Sequence, residues 1–289
     1  MLFQKSSLSV KSYAKINVSL RVLSKRADSY HELEMVNLPL ELHDVIELEK
    51  MPNAADTFIT CDDVGLSNTR HNLCAKAVEA MRNEFGFKEN FNITIHKEIP
   101  FAAGLGGGSS NAAAVMVSLV NLLHLKTNAE QLNRIGLSIG ADVPFFLVNK
   151  PALVTGIGEK LQNVPVKKQY NCLIVKPVKG LSTTDVFAAA EGFERTPIET
   201  QDVLKALANG DNALLAKSIG NDLFLPANSL LPEVGKIVAS LKADGFTLVS
   251  MSGSGSSVFA LSDDAKSLAK AARKYLGLGY IVRLTRTMI

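Results

Sequence analysis

Cysteine is scarce in this chain, and the three present, Cys61, Cys74 and Cys172, lie far apart. That spacing supplies neither a disulfide framework nor the paired ligands of a zinc site, so they read as ordinary core or surface thiols. Excess charge of one sign is missing too. A formal net charge of +3, with no lysine/arginine run or basic helix, gives no electrostatic footprint for nucleic acid, and Lys167–Lys168 reads as a solvated turn. No apolar run is long enough to span a bilayer, and Gln4, Lys5 and Ser6 interrupt the start where a signal peptide would be apolar. The expectation is a cytoplasmic protein with no membrane partner. His43, His71, His96 and His124 lack the Cys/His/carboxylate spacing of a metal site. Internal repeats and low-complexity linkers are absent as well. What is present is bulk: 289 residues, 47% of them hydrophobic, enough to bury two cores.

The most informative segment runs from Pro100 to Ala114, PFAAGLGGGSSNAAA, where a glycine run leads into two serines and an apolar helix pattern from Ala112 to Leu125. Glycine lets backbone N–H groups approach phosphate oxygens, and a helix N-terminus adds partial positive charge, so the segment reads as a phosphate cradle. It is not a Walker loop, because Gly108 is followed by Ser109 and Ser110 with no lysine. The dinucleotide fingerprint fits poorly too, since Gly104, Leu105 and Gly106 lead to Ser109 where a third glycine is needed. A linker is disfavoured by the strand pattern before it (Phe91, Ile93, Ile95) and the helix after it.

From Leu8 to Val22 the even positions are apolar apart from Ser12, while the odd positions present Lys11, Tyr13, Lys15, Asn17, Ser19 and Arg21. This is a strand with one core face. Lys15 and Asn17 project side by side from the other face, which on its own reads as solvated. Asp28, Tyr30, His31 and Glu32 then cluster between two strand-like segments, where a histidine beside an aromatic could hold a planar ligand or simply cap a turn. In IGADVPFFL, Pro144 biases Val143 away from helix and leaves Asp142 at a break in the chain, as a helix cap or as a catalytic carboxylate. FTLVSMSGSGSSVFAL, from Phe246 to Leu261, reads as strand, glycine/serine turn and strand.

In order and spacing, the AKIN strand, the GLGGGSSNAA loop and the SGSGSSVFAL turn resemble the three motifs of the galacto-, homoserine, mevalonate and phosphomevalonate kinase superfamily. Within it, the R-x-D-x-YHEL segment and GADVPFF followed by GIGEKL are similar to the branch that acts on a cytidyl diphosphate sugar alcohol. The resemblance implies an ATP-dependent kinase that phosphorylates the substrate's 2-hydroxyl on the non-mevalonate route to isoprenoid precursors, with Mg2+ accompanying ATP. It implies Lys15 and Asp142 as the catalytic pair, Asp142 taking the hydroxyl proton and Lys15 holding the hydroxyl and offsetting phosphoryl charge. ATP would lie on Gly104, Leu105, Gly106, Gly107, Gly108, Ser109, Ser110 and Asn111, with Asn72, Leu73 and Lys97 at the adenosine end. The cytidine would sit between Tyr30 and Phe187 with His31 on the base edge, Asn17 near the reacting hydroxyl, and Ser254 and Gly255 over the phosphates.

Two segments depart from the family pattern. Ser29 stands where the family has glycine in DGYHEL, and Asn37 and Pro39 interrupt a segment that the family tends to make a plainer strand with an acidic residue. These departures keep open another acceptor, homoserine or a mevalonate phosphate, and a non-catalytic nucleotide-binding protein of the same fold. The fold implied is α+β: an N-terminal domain (1–164) like the second domain of ribosomal protein S5, a ferredoxin-like C-terminal domain (165–289), and an active site in the cleft between them. Metal ligands cannot be read from the sequence, and monomer and homodimer both stay open.

Overall fold

The computed structural model describes residues 6–27, 30–62, 72–195 and 197–289; Asp28, Ser29 and His71 lie outside the described residues. Contacts divide the chain into two compact units that do not follow its halves. One takes residues 1–14, 43–99 and 106–149, the other 15–42, 100–105 and 150–289.

Two long strands, β1 (Ser7–Lys25) and β2 (His31–Met51), run through both. In the first unit the end of β2 pairs antiparallel with β4 (Asn90–His96), and β3 (Phe58–Cys61) joins β4 in parallel. The expected alternation Phe91, Ile93, Ile95 is the buried face of β4. Helices α1 (Leu73–Phe85), α2 (Gly107–Leu123), α3 (Ala129–Ile139) and α4 (Val143–Val148) pack on one another. Asparagine caps start two of them: Asn72 accepts from the Cys74 amide before α1, and Asn128 from the Gln131 amide before α3. The helix expected from Ala112 begins at Gly107, inside the glycine run. Val143, expected outside a helix, is the first residue of α4, because Pro144 falls in the first turn, where the missing N–H has no partner to lose.

In the second unit the start of β2 pairs antiparallel with β5 (Ala152–Gly156), which continues to β6 (Lys160–Asn163). Pro39 does not end β2: it falls between the residues that pair with β5 and those that pair with β4, and its carbonyl accepts from the Met288 amide at 2.8 Å. A separate antiparallel sheet follows, built from β7 (Asn171–Lys176), β9 (Leu248–Met251), β10 (Val258–Ser262) and β11 (Ile281–Arg286) in the order β11-β7-β10-β9. Helices α9 (Glu233–Ala243) and α10 (Ala265–Gly277) pack against it. Its first strand is flanked by the last and the third, the ferredoxin-like arrangement that the motif order implied. Among the described residues, no helix is long and apolar enough to cross a membrane.

Candidate functional site

In the first unit, α2 leaves the glycine run with Gly106 as its N-cap at φ 73° and no side chain capping its first turn. The opening N–H groups of such a helix have no intrahelical partner, and together with the helix dipole they favour an anion. A polar network braces this loop. Asp44, just before the β4-paired stretch of β2, is fully buried; its Oδ1 accepts from the Glu98 and Ile99 amides, each at 2.8 Å, and its Oδ2 accepts from Lys97 Nζ and, at 2.8 Å, from Asn111 Nδ2. Asn111 Nδ2 also reaches Ser12 Oγ (2.9 Å), which donates to Ser110 Oγ (2.8 Å). A Cβ added to Gly107 would stand 3.3 Å from Lys97 Nζ, so the ammonium lies close to the loop backbone.

Asn72 is engaged as the cap of α1, and Leu73 packs where a Cβ on Gly108 would come within 3.6 Å. Burial pushes the neighbouring Cys74 thiol up to about 12, which keeps it unreactive, and all three cysteines are buried. Asp142 stands at the N-cap of α4 but has helical dihedrals and makes no side-chain capping bond, so of the two readings left open in sequence the helix cap does not hold. Among the described residues no group of three His, Cys, Asp or Glu could hold a metal ion, and both Asp44 oxygens are engaged by donors.

In the second unit, the odd face of β1 is buried from Lys15 to Ser19 rather than solvated. Lys15 is 3% exposed, and Asn17 and Ser19 are fully covered. Lys15 Nζ donates to Asn17 Oδ1 (2.7 Å), Asn17 Nδ2 donates to Asn37 Oδ1 (2.6 Å), and the Lys15 amide donates to the Leu105 carbonyl (3.0 Å). Ser252 Oγ accepts from the Asn17 amide at 3.3 Å and donates to the Gly104 carbonyl at 2.9 Å. Gly104 must be glycine: its φ is +70°, and a Cβ there would lie 2.0 Å from the Ser252 carbonyl oxygen. The AKIN strand, the first glycine of the run and the SGSG turn thus meet backbone to backbone.

Further along that turn, Ser254 Oγ is 2.8 Å from Thr183 Oγ at the start of α5 (Thr183–Ala190), and a Cβ on Gly255 would come within 2.8 Å of Met251 Sδ. Helix α5 carries Phe187, whose ring stacks on His31 with centroids 4.9 Å apart and planes 26° apart. Tyr30 is 56% exposed. Burial, then the nearby Lys25 and Arg195 charges, hold the His31 imidazole below its ordinary value, with Glu191 opposing. The site signals missed in the sequence are Asp44, an acid inside an apolar strand, and Ser12 and Ser252, small hydroxyls in segments already singled out.

This combination of loop, strand and turn matches known proteins along the whole chain. Residues 72–150 match the model of the GHMP kinases N terminal domain, and residues 203–279 match that of the GHMP kinases C terminal domain. A 4-diphosphocytidyl-2-C-methyl-D-erythritol kinase from Caldanaerobacter subterraneus subsp. tengcongensis is 36% identical over 97% of both chains. The chain belongs to the GHMP kinase family. Among solved structures, this GHMP kinase is similar to a 4-(cytidine 5'-diphospho)-2C-methyl-D-erythritol kinase, with a TM-score of 0.80 and 29% identity over 97% of this chain and 99% of that one. A homoserine kinase from Cytophaga hutchinsonii shares the fold, with a TM-score of 0.77 at 18% identity over 100% of this chain and 96% of that one.

Proposed function

We propose that this GHMP kinase is a soluble, cytoplasmic enzyme that transfers the γ-phosphoryl group of ATP to the 2-hydroxyl of 4-diphosphocytidyl-2-C-methyl-D-erythritol, a step toward isoprenoid precursors. The observation that carries the reading is the near-full-length similarity to relatives of that name. The second unit adds support: a buried Lys15–Asn17 pair, and an imidazole stacked on an aromatic ring, a surface suited to a pyrimidine. The two family-model matches fall on either side of residue 164, which supports 1–164 and 165–289 as modules of the sequence, although the compact units do not follow that boundary.

In this reading the exposed amides at the start of α2 hold the ATP phosphates, with Lys97 adding charge and Leu73 and Asn72 near the adenosine. Asp142 accepts the hydroxyl proton and Lys15 offsets the charge that develops on the transferring group. Phosphoryl transfer asks for such positioning and electrostatics more than for covalent chemistry by the protein. Tyr30, His31 and Phe187 hold the cytosine; Asn17 contacts the acceptor near the reacting hydroxyl; Ser254 and Gly255 line its phosphates. Magnesium would arrive with the nucleotide rather than sit in a cage of side chains.

A coupled assay of ATP turnover with the cytidyl substrate, homoserine, mevalonate and phosphomevalonate tests the acceptor. Turnover with the cytidyl substrate alone is expected; turnover with any of the others and none with the cytidyl substrate overturns the reading. Asp142→Asn should still bind ATP while losing about 100-fold or more in kcat, the scale of general-base catalysis. Unchanged kcat in that variant removes Asp142 from its role.

A further inference from the structure

Asn37 departs from the family pattern in sequence, and the structure places it directly behind the Lys15–Asn17 pair. It is fully buried in the first half of β2, and its side-chain oxygen accepts from Asn17 Nδ2 at 2.6 Å. Its own Nδ2 is buried with no hydrogen-bond partner. A polar atom is seldom left in that state, because a buried donor without an acceptor forfeits its hydration and regains nothing. Something in the arrangement must favour keeping an amide here.

The chemistry of donors and acceptors supplies the reason. A lysine ammonium can only donate, so the Asn17 atom at 2.7 Å from Lys15 Nζ has to be the carbonyl oxygen. That choice turns the Asn17 NH2 group the other way, where it needs an acceptor inside the core. Two are within reach: the thioether of Met35 at 3.3 Å, a weak acceptor, and the Asn37 oxygen. The orientation of Asn17 then fixes that of Asn37, oxygen toward Asn17 and NH2 away. The unsatisfied Asn37 donor is the residue of a chain whose direction is set at Lys15. The Asn17 backbone is held as well, its N–H donating to Ser252 Oγ.

We propose that Asn37 is a positioning residue for phosphoryl transfer: by accepting from Asn17 Nδ2 it locks the Asn17 amide with its oxygen on Lys15, and so fixes where the ammonium is held. An apolar side chain at this position leaves Asn17 NH2 with the Met35 sulfur alone. The Asn17 amide is then anchored at its oxygen end alone and is free to swing, so the acceptor offered to Lys15 is no longer fixed in place. The Asn17 contact of Lys15 loosens without any change at Lys15 or Asn17, and misplacement on the ångström scale of a group acting on the transferring phosphate costs on the order of 100-fold in rate. The inference rests on the proposed roles of Lys15 and Asn17.

A double-mutant cycle on the full-length enzyme tests it, using Asn37→Leu, Asn17→Ala and the two combined, with kcat and the KM for each substrate as readouts and thermal unfolding as a control. Asn37→Leu is expected to lower kcat at least tenfold with the KM for ATP within about twofold, and to add no more than about twofold to the loss in Asn17→Ala. Losses that multiply would mean that Asn37 acts independently of Asn17 and would overturn the proposal. If Asn37→Leu does not fold, Asn37→Asp takes its place, since it keeps an acceptor toward Asn17. Its kcat should stay within a few-fold of wild type, and a loss as large as that of Asn17→Ala in a folded Asn37→Asp protein overturns the proposal as well. Wild-type kcat in Asn17→Ala strikes instead at the site reading beneath it.

Discussion

Asp44 carries four hydrogen bonds on two oxygens in a fully buried position, and that saturation decides what it can do. It has no lone pair to spare for a ligand, so its contribution is to hold Lys97, Asn111 and the chain at Glu98 and Ile99 in place. Removing one partner of a buried ion pair leaves the other uncompensated, at a cost of about 3–5 kcal/mol. Asp44→Ala should lose stability on that scale in urea unfolding; a loss under about 1 kcal/mol would show that the carboxylate is not what holds the loop. His31 offers a second measurement. Burial and two nearby cations disfavour its charged form, so it stays neutral to lower pH than an ordinary histidine. The folded chain therefore binds fewer protons than the unfolded chain just below pH 6.5. The stability this provides is full above the ordinary value and fades as pH falls through the folded one. An NMR titration should place its inflection below 6.5, and Lys25→Met should move it upward; a downward move would mean the lysine charge is not acting on the ring.

At the scale of elements, local pattern and distant packing part company. The alternation of β4 was legible because periodicity is short-range. The odd face of β1 was not. Its polar side chains look solvated until the SGSG turn is laid over them, and the Asn17–Ser252 contact joins residues 235 positions apart. Helix α5 is only 8 residues long and gave no periodic signal, although it carries Phe187. The glycine run was legible as an anion cradle but not in its division of labour. Gly106 opens α2, whereas Gly104 serves packing against Ser252. Gly104→Ala should therefore destabilise the protein by about 2–4 kcal/mol, from the strained backbone and the overlap with the Ser252 carbonyl. A melting temperature equal to wild type would contradict that close approach.

For the molecule as a whole, the three family motifs made the α+β class and the ferredoxin-like order of the last sheet legible from sequence. The way the chain distributes itself was not legible. Nothing in a linear pattern announces that residues 15–42 and 100–105 leave the first unit to be built into the second, because that return depends on contacts with residues 150–289. The consequence reaches the gene. A single cut anywhere along the coding sequence severs at least one unit from part of itself, so neither can be lifted out, exchanged between relatives or duplicated by one recombination event. Asn17 lies 235 positions before Ser252, whose hydroxyl its backbone N–H reaches, so the surroundings of the Lys15–Asn17 pair are complete only when Ser252 has been translated. On the ribosome, the strand that carries Lys15 and Asn17 emerges long before the turn it packs against.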